Sequence, residues 1–280
     1  MSGLILLASY PKSGNTWLRA MIASLQNGGG AVDINQLSIK NSSATREAFD
    51  DLMGIDSSDL TDDEILAARP ALHRTMAAMM EPPLILKTHD ANLIPPGGDG
   101  LLFSPESVAR VIHVVRDPRD VAVSWAHHIG KDIDTAIARM ADENDRLGSS
   151  RIRLNPQLPQ FLSSWSRHTE SWLDATGYPV LRLRYEEMVA APLDSCSQIG
   201  RFLGLDVSAP VVAGATAAAS FPALKAQEEE AGFAERLPAS TAPFFRRGTA
   251  GGWRDSLTPG QAARIEGDHG PVMRRLGYLP

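Results

Sequence analysis

Short apolar runs alternate along this chain with longer stretches of helical spacing, and that alternation sets the first expectation. Leu4 to Ala8 is continuously apolar, the pattern of a strand covered on both faces. From Thr16 to Leu25, residues Trp17, Leu18, Met21, Ile22 and Leu25 then recur at helical spacing. Leu84 to Leu86 and Val108 to Val115 repeat the strand pattern, the second interrupted by Arg110 and His113, and a helix is predicted over Val121 to Ile129. Thr61-Asp-Asp-Glu64 has the spacing of a capping box ahead of a helix over Asp62 to Met80. Phe161, Trp165, Trp172 and Leu173 give Phe161 to Thr176 one apolar helical face, and the prolines and glycines of Asp90 to Gly100 read as a loop. Strands alternating with helices predict an α/β fold: a single domain over residues 1–280, with a mostly parallel central sheet flanked by helices.

The first strand and helix are joined by Ser9-Tyr-Pro-Lys-Ser-Gly-Asn-Thr-Trp17, a P-loop-like strand-loop-helix segment suited to a phosphate. Gly14 lets the main chain approach a ligand closely, and the free N–H groups and positive dipole end at the helix start favour an anion. Lys12 adds a full charge, Ser13 and Thr16 add hydroxyl donors, and Trp17 offers a flat face for an aromatic base. The lysine precedes the only glycine and no Gly-Lys-Ser/Thr triplet occurs in the chain, which disfavours a Walker ATP or GTP site. Taken alone, so short a loop also reads as an ordinary turn.

The strand over Val108 to Val115 runs into Arg116-Asp-Pro-Arg-Asp120, which places Arg116 at the carboxyl end of a strand, the edge where ligands sit in open α/β sheets. Arg116 suits bidentate recognition of a phosphate, Ser124 can donate to the same group, and Asp117 and Pro118 suit a helix start. Arg119 and Asp120 read as a solvated pair on that helix. Lys87, Thr88 and His89 follow the strand at Leu84 to Leu86, and a histidine there is a candidate general base.

Tyr-Pro-Lys-Ser-Gly-Asn-Thr-Trp, Lys-Thr-His, and Val-Val-Arg-Asp-Pro-Arg-Asp with a serine eight residues after the arginine together resemble the signatures of sulfotransferases, which use 3′-phosphoadenosine-5′-phosphosulfate (PAPS) as sulfuryl donor. Val180 to Met188 resembles the family's later strand, whose tyrosine, Tyr185 here, approaches the adenine. Ser220-Phe221 resembles the segment flanking the base, and Phe245-Arg-Arg-Gly248 with Gly252-Trp253 the stretch around the 3′-phosphate. The resemblance implies that Lys12, Ser13, Gly14, Asn15 and Thr16 hold the 5′-phosphosulfate and that Trp17 stacks on adenine, with Tyr185 and Phe221 beside it. It assigns the 3′-phosphate to Arg116, Ser124, Arg246, Arg247 and Gly248. His89 is the implied catalytic base, Lys87 supports charge beside it, and Lys12 stabilises the leaving group. No metal is implied. Ala219 stands where a threonine often precedes Ser-Phe, and Arg254 to Ala263 keeps little of the family's short dimer motif, so the oligomeric state stays open.

Composition narrows the partners. A net charge of −6 argues against nucleic-acid or anionic-membrane surfaces, so the clustered cations fit one small polyanion better. With 43% hydrophobic residues and no stretch of membrane-span length or signal-peptide pattern, the expectation is a cytoplasmic protein, and the resemblance implies an enzyme acting on a small-molecule hydroxyl acceptor. Phenols, alcohols, sugar hydroxyls, glycopeptides and polyketides all remain open as acceptors. The competing readings are a kinase-like phosphotransferase using ATP and an inactive nucleotide-binding protein. The single cysteine, Cys196, reads as a packing residue, and His127, His128 and His168 read mostly as structural or solvent-facing, although His127 or His128 could touch an acceptor. Residues 226–243, with an acidic run, Gly232 and two prolines, read either as a mobile cover that orders when Arg246 and Arg247 meet phosphate or as a solvated acidic loop.

Overall fold

The first strand, β1 (Leu4–Ser9), is buried at every position, as an unbroken apolar run requires. It leads into α1 (Asn15–Gln26), and after a 3-10 turn come α2 (Arg46–Met53) and α3 (Asp62–Met79). Then follow β2 (Ile85–Thr88), β3 (Val108–Val115), α4 (Pro118–Ile129), α5 (Ile133–Ala141), the short β4 (Arg146–Leu147) and β5 (Gln160–Phe161), and α6 (Trp165–Leu173). The chain closes with β6 (Val180–Arg184), α7 (Tyr185–Ala190), α8 (Pro192–Leu203), α9 (Ala209–Ala218), α10 (Phe221–Ala231) and α11 (Pro259–Arg275). This computed structural model describes residues 3–37, 39, 43–79, 84–149, 154–240 and 242–280.

The central sheet is the expected parallel one, four strands in the order β2-β1-β3-β6 flanked by helices. β1 and β2 pair in parallel with Ile5 opposite Ile85 and Ala8 opposite Thr88, which brings the strand ends Ser9 and His89 to one edge. β4 and β5 form a separate antiparallel pair.

The chain divides into two compact units, one of Met1–Tyr10, Asn41–His113 and Arg139–Arg182, the other of Pro11–Lys40, Val114–Ala138 and Leu183–Pro280. In the first, Leu4, Leu6, Phe49, Leu72, Leu86, Phe103, Val111 and Trp172 form a buried cluster. The capping box ahead of α3 is present: Thr61 N–H donates to Glu64 Oε2 at 2.8 Å and Glu64 N–H to Thr61 Oγ1 at 3.3 Å. Met80, the expected last residue of that helix, lies outside the described residues. In the second unit, α1 packs on α8 and α9, and Cys196 is buried on α8 as expected.

Four expectations change. Phe161 belongs to β5 and the helix begins only at Trp165, because Ser163 takes a left-handed φ of 59° and Ser164 caps the helix by accepting from Arg167 N–H. β2 runs on through Lys87 and Thr88, so His89 alone follows the strand. β6 ends at Arg184, and Tyr185 opens α7 instead of continuing the strand. Arg119 and Asp120 are both buried and do not form a solvated pair. Arg119 is held by Asp117 and by Glu266 of α11, each at 2.7 Å, and donates to the Tyr278 carbonyl at 3.0 Å.

Candidate active site

In the second unit the loop from Pro11 bends twice into the left-handed region before α1. Lys12 has φ 66° and Gly14 has φ 106°. Such a turn costs a non-glycine residue about 1–2 kcal/mol, and Arg116 Nη1 supports it by donating to the Lys12 carbonyl at 3.1 Å. At Gly14 a side chain is excluded outright: a Cβ there would come within 2.8 Å of Tyr185 Cδ2. No side chain caps the start of α1 and its first turn holds no acidic residue, so the positive end of the helix keeps its capacity for an anion. Asn15 and Thr16 are buried in that first turn, and the buried Ser13 Oγ has no hydrogen-bond partner among the described residues.

Four cations gather around this loop. Lys12, Ser124 and Arg246 line one cleft together with His127, His128 and Phe244. Lys12 Nζ lies 3.6 Å from the centroid of the Phe244 ring. Burial, and then the Arg116 charge, push the Lys12 ammonium down to about 7. Arg246 is lowered by burial and by the charges of Arg247 and Arg116. His127 is lowered by burial and by the charges of Arg246 and Arg247. Burial is the largest cause at both Lys12 and Arg246, and the neighbouring cations add to it, offset in part by Glu228 and Glu235 at Lys12 and by Asp120 at Arg246.

Arg116 also donates to the Thr249 carbonyl at 3.1 Å and lies over the Tyr185 ring at 4.3 Å, while Trp17 meets that ring edge-on at 5.7 Å. Trp17, Tyr185 and Arg116 thus form a continuous aromatic and guanidinium wall. Gly248, at φ 65°, presses against Phe221 at the start of α10 so closely that a Cβ would clash with the ring. Phe221, Gly248, Arg246 and Arg247, assembled from the sequence by resemblance, are therefore neighbours along one strap.

Two buried carboxylates hold that strap: Asp120, which reads as solvated from the sequence, and Glu228, which the sequence shows only as part of an acidic run. Asp120 accepts from Gly251 N–H at 2.6 Å and from Trp253 N–H at 2.8 Å. Glu228 accepts from Phe244 N–H at 2.6 Å and from Phe245 N–H at 2.8 Å. The second contact corrects the reading of residues 226–243 as a solvated acidic loop: residues 226–231 are helical in α10, Glu228 is buried, and Glu235 pairs with Arg19 at 2.8 Å. Residue 241 of that segment lies outside the described residues.

His89 and Lys87 belong to the first unit. His89 is half-buried, and its Nδ1 lies 2.8 Å from the Ser9 carbonyl. A carbonyl only accepts, so Nδ1 carries the proton and the ring's lone pair is on Nε2. The backbone on either side of His89 is fixed. Thr88 Oγ1 donates to Asp90 Oδ2 at 2.9 Å, and Asp90 forms a fully buried two-pronged pair with Arg69, both bonds 2.7 Å. Phe161 N–H donates to Asp90 Oδ1 at 2.7 Å, and Trp172 Nε1 to the Asp90 carbonyl at 3.0 Å. His168 is buried against Tyr10, their ring centroids 5.2 Å apart.

A family model described as the sulfotransferase domain matches residues 3–277. Cytosolic sulfotransferase 16 of Arabidopsis thaliana is 28% identical over 277 residues, covering 94% of this chain and 73% of the relative. Sulfotransferase 1 family member D1 of Rattus norvegicus is 24% identical over 273 residues, covering 95% and 81%. Among solved structures, mouse sulfotransferase SULT7A1 complexed with PAP shares the fold with a TM-score of 0.60 and 21% identity, over 97% of this chain and 85% of that one. Retinol dehydratase in a complex with retinol and PAP gives a TM-score of 0.60 at 18% identity, over 96% and 80%. Among the described residues no helix is long and apolar enough to cross a membrane, and no group of three His, Cys, Asp or Glu side chains converges as a metal site requires.

Proposed function

Because the chain belongs to the sulfotransferase domain family, we propose that it transfers a sulfuryl group from PAPS to a hydroxyl group of a small-molecule acceptor, with His89 as general base. The observation that carries this reading is the cluster of Lys12, Arg116, Arg246 and Arg247 around an uncapped helix start, with Lys12 and Arg246 both depressed by burial first and by neighbouring cations after it. A donor with phosphate at both ends of its ribose supplies the anions that such a cluster lacks. The residues fit it on an independent ground: Ser13 Oγ and Arg116 Nε are buried without partners among the described residues.

The roles divide by chemistry. The helix start, Ser13, Asn15 and Thr16 hold the 5′-phosphosulfate, and Arg116, Ser124, Arg246, Arg247 and the Gly248 backbone hold the 3′-phosphate. Trp17, Tyr185 and Phe221 flank the base. His89 accepts the proton of the acceptor hydroxyl on Nε2, its Nδ1–H anchored to the Ser9 carbonyl throughout. The new bond joins the acceptor oxygen to sulfur, and the bond from sulfur to the departing phosphate oxygen breaks. Lys12 neutralises the charge that grows on that oxygen, and Lys87 adds positive field on the acceptor side. The small-molecule acceptor follows the retinol named for one structural neighbour, and a cytoplasmic setting follows the name of the Arabidopsis relative.

Calorimetric titration with 3′-phosphoadenosine-5′-phosphate tests the reading, with ADP and 5′-AMP, each with and without magnesium, as controls. Tight, metal-independent binding that requires the 3′-phosphate is the expected result. Equal or better binding of magnesium-ADP would overturn the proposal in favour of a phosphotransferase.

A further inference from the structure

We infer that Glu228 is a positioning residue for the donor's 3′-phosphate, acting by holding the Phe244–Phe245 turn from which Arg246, Arg247 and Gly248 are presented. The inference rests on the PAPS reading above and adds to it a residue that contacts no substrate.

A carboxylate buried to 6% exposure is costly unless its oxygens are satisfied. Glu228 resolves this by accepting the two consecutive N–H groups immediately ahead of Arg246, at 2.6 and 2.8 Å, lengths typical of charge-assisted bonds. The same turn is packed by rings: Phe233 lies 4.7 Å from Phe244 and 5.6 Å from Phe245. Asp120 grips the far end of the strap through Gly251 and Trp253. The arginines and Gly248 therefore lie on an arch clamped at both ends by carboxylates from two different helices, α10 and α4.

α10 serves the arch twice. Its first residue, Phe221, packs under Gly248, and Glu228 two turns later takes the backbone of the turn. Both carboxylates take backbone N–H groups, not the guanidinium groups of Arg246 or Arg247, and Arg247 Nη1 donates to the Gly252 carbonyl within the same strap at 3.3 Å. A clamp that bonds backbone instead of guanidinium fixes position without competing for the ligand.

The test compares 3′-phosphoadenosine-5′-phosphate with 5′-AMP, which lacks only the 3′-phosphate, on the wild-type protein, Glu228→Gln and Glu228→Ala, with thermal unfolding of each. Glu228→Ala is expected to weaken the bisphosphate roughly tenfold or more, about 1.4 kcal/mol per decade, and to weaken 5′-AMP clearly less, since Glu228 reaches the 5′ end only through Phe244 and Lys12. Glu228→Gln keeps the shape with one accepting oxygen and is expected to fall between; where Glu228→Ala does not fold, Glu228→Gln decides. Equal losses for both nucleotides would reduce Glu228 to a general structural role, and unchanged bisphosphate affinity would remove it altogether, either result overturning the inference. A wild-type protein that does not distinguish the two nucleotides would bring down the donor reading itself, a failure visible before any variant is made.

Discussion

Lys12 offers the sharpest quantitative test, because its ammonium is pushed down to about 7 by burial and by Arg116 while the ligand proposed for it is a polyanion. At pH 8 a lysine with such a pKa is only about one-tenth protonated, whereas a phosphate beside it returns the pKa toward or above the ordinary 10.4, so binding should take up about 0.9 proton. The sign follows from the direction of the shift. The bound state holds more protons than the free state, so affinity falls as pH rises from 7 toward 10, by about tenfold or 1.4 kcal/mol per pH unit at the steepest. Phosphate groups have their second ionisation near 6, so at pH 8 they contribute little to the balance. The assay is titration calorimetry with 3′-phosphoadenosine-5′-phosphate at pH 8 in buffers of contrasting ionisation enthalpy, where the dependence of observed heat on buffer gives the protons exchanged. Lys12→Met should bind more weakly and exchange almost none. No net uptake by the wild-type protein, or the same uptake by Lys12→Met, would refute the assignment.

Three further outcomes follow from the structure. Asp90→Asn removes one partner of a fully buried pair with Arg69; breaking such a pair costs about 3–5 kcal/mol, a fall in Tm of about 6–20 °C by thermal unfolding, and an unchanged Tm would contradict the pairing. Gly14→Ala places a methyl 2.8 Å from the Tyr185 ring at φ 106° and should abolish bisphosphate binding in calorimetry; binding within twofold of wild type would show that the loop relaxes freely. His89→Ala should keep bisphosphate affinity and lose about 10²–10⁴ in turnover, measured by single-turnover sulfuryl transfer to any accepted hydroxyl compound, and full activity would remove His89 from the base role.

What could be read from the chain was whatever local pattern encodes. The strand ahead of Lys12 is a continuous apolar run, the strand ahead of Arg116 an apolar run broken only by Arg110 and His113, and Asp117 with Pro118 marks a helix start without help from elsewhere. Residues whose environment comes from distant partners were misread. Arg119 looks solvated in Arg-Asp-Pro-Arg-Asp, yet Glu266 and Tyr278, about 150 positions later, enclose it. Arg69 and Asp90 sit in a helix and a loop with nothing nearby to announce their pairing. Glu228 is the instructive case. In Gln227-Glu228-Glu229-Glu230 it looks like any acidic position, but once a helix starts at Phe221, residues 221, 224 and 228 share one face, and Leu224 and Glu228 are both buried. Helical phase alone carried that signal.

Strand order also has a consequence for how the molecule is made. β1 is synthesised first but lies between β2 and β3 in the sheet, so one of its edges waits for β2 and the other for β3, which ends at Val115. At ~5–20 residues per second, the ribosome leaves that apolar strand without its second neighbour for roughly 5–20 s. During that interval the strand destined to carry the phosphate loop keeps at least one unpaired hydrophobic edge, so slower growth or a chaperone that shields that strand should raise the soluble yield.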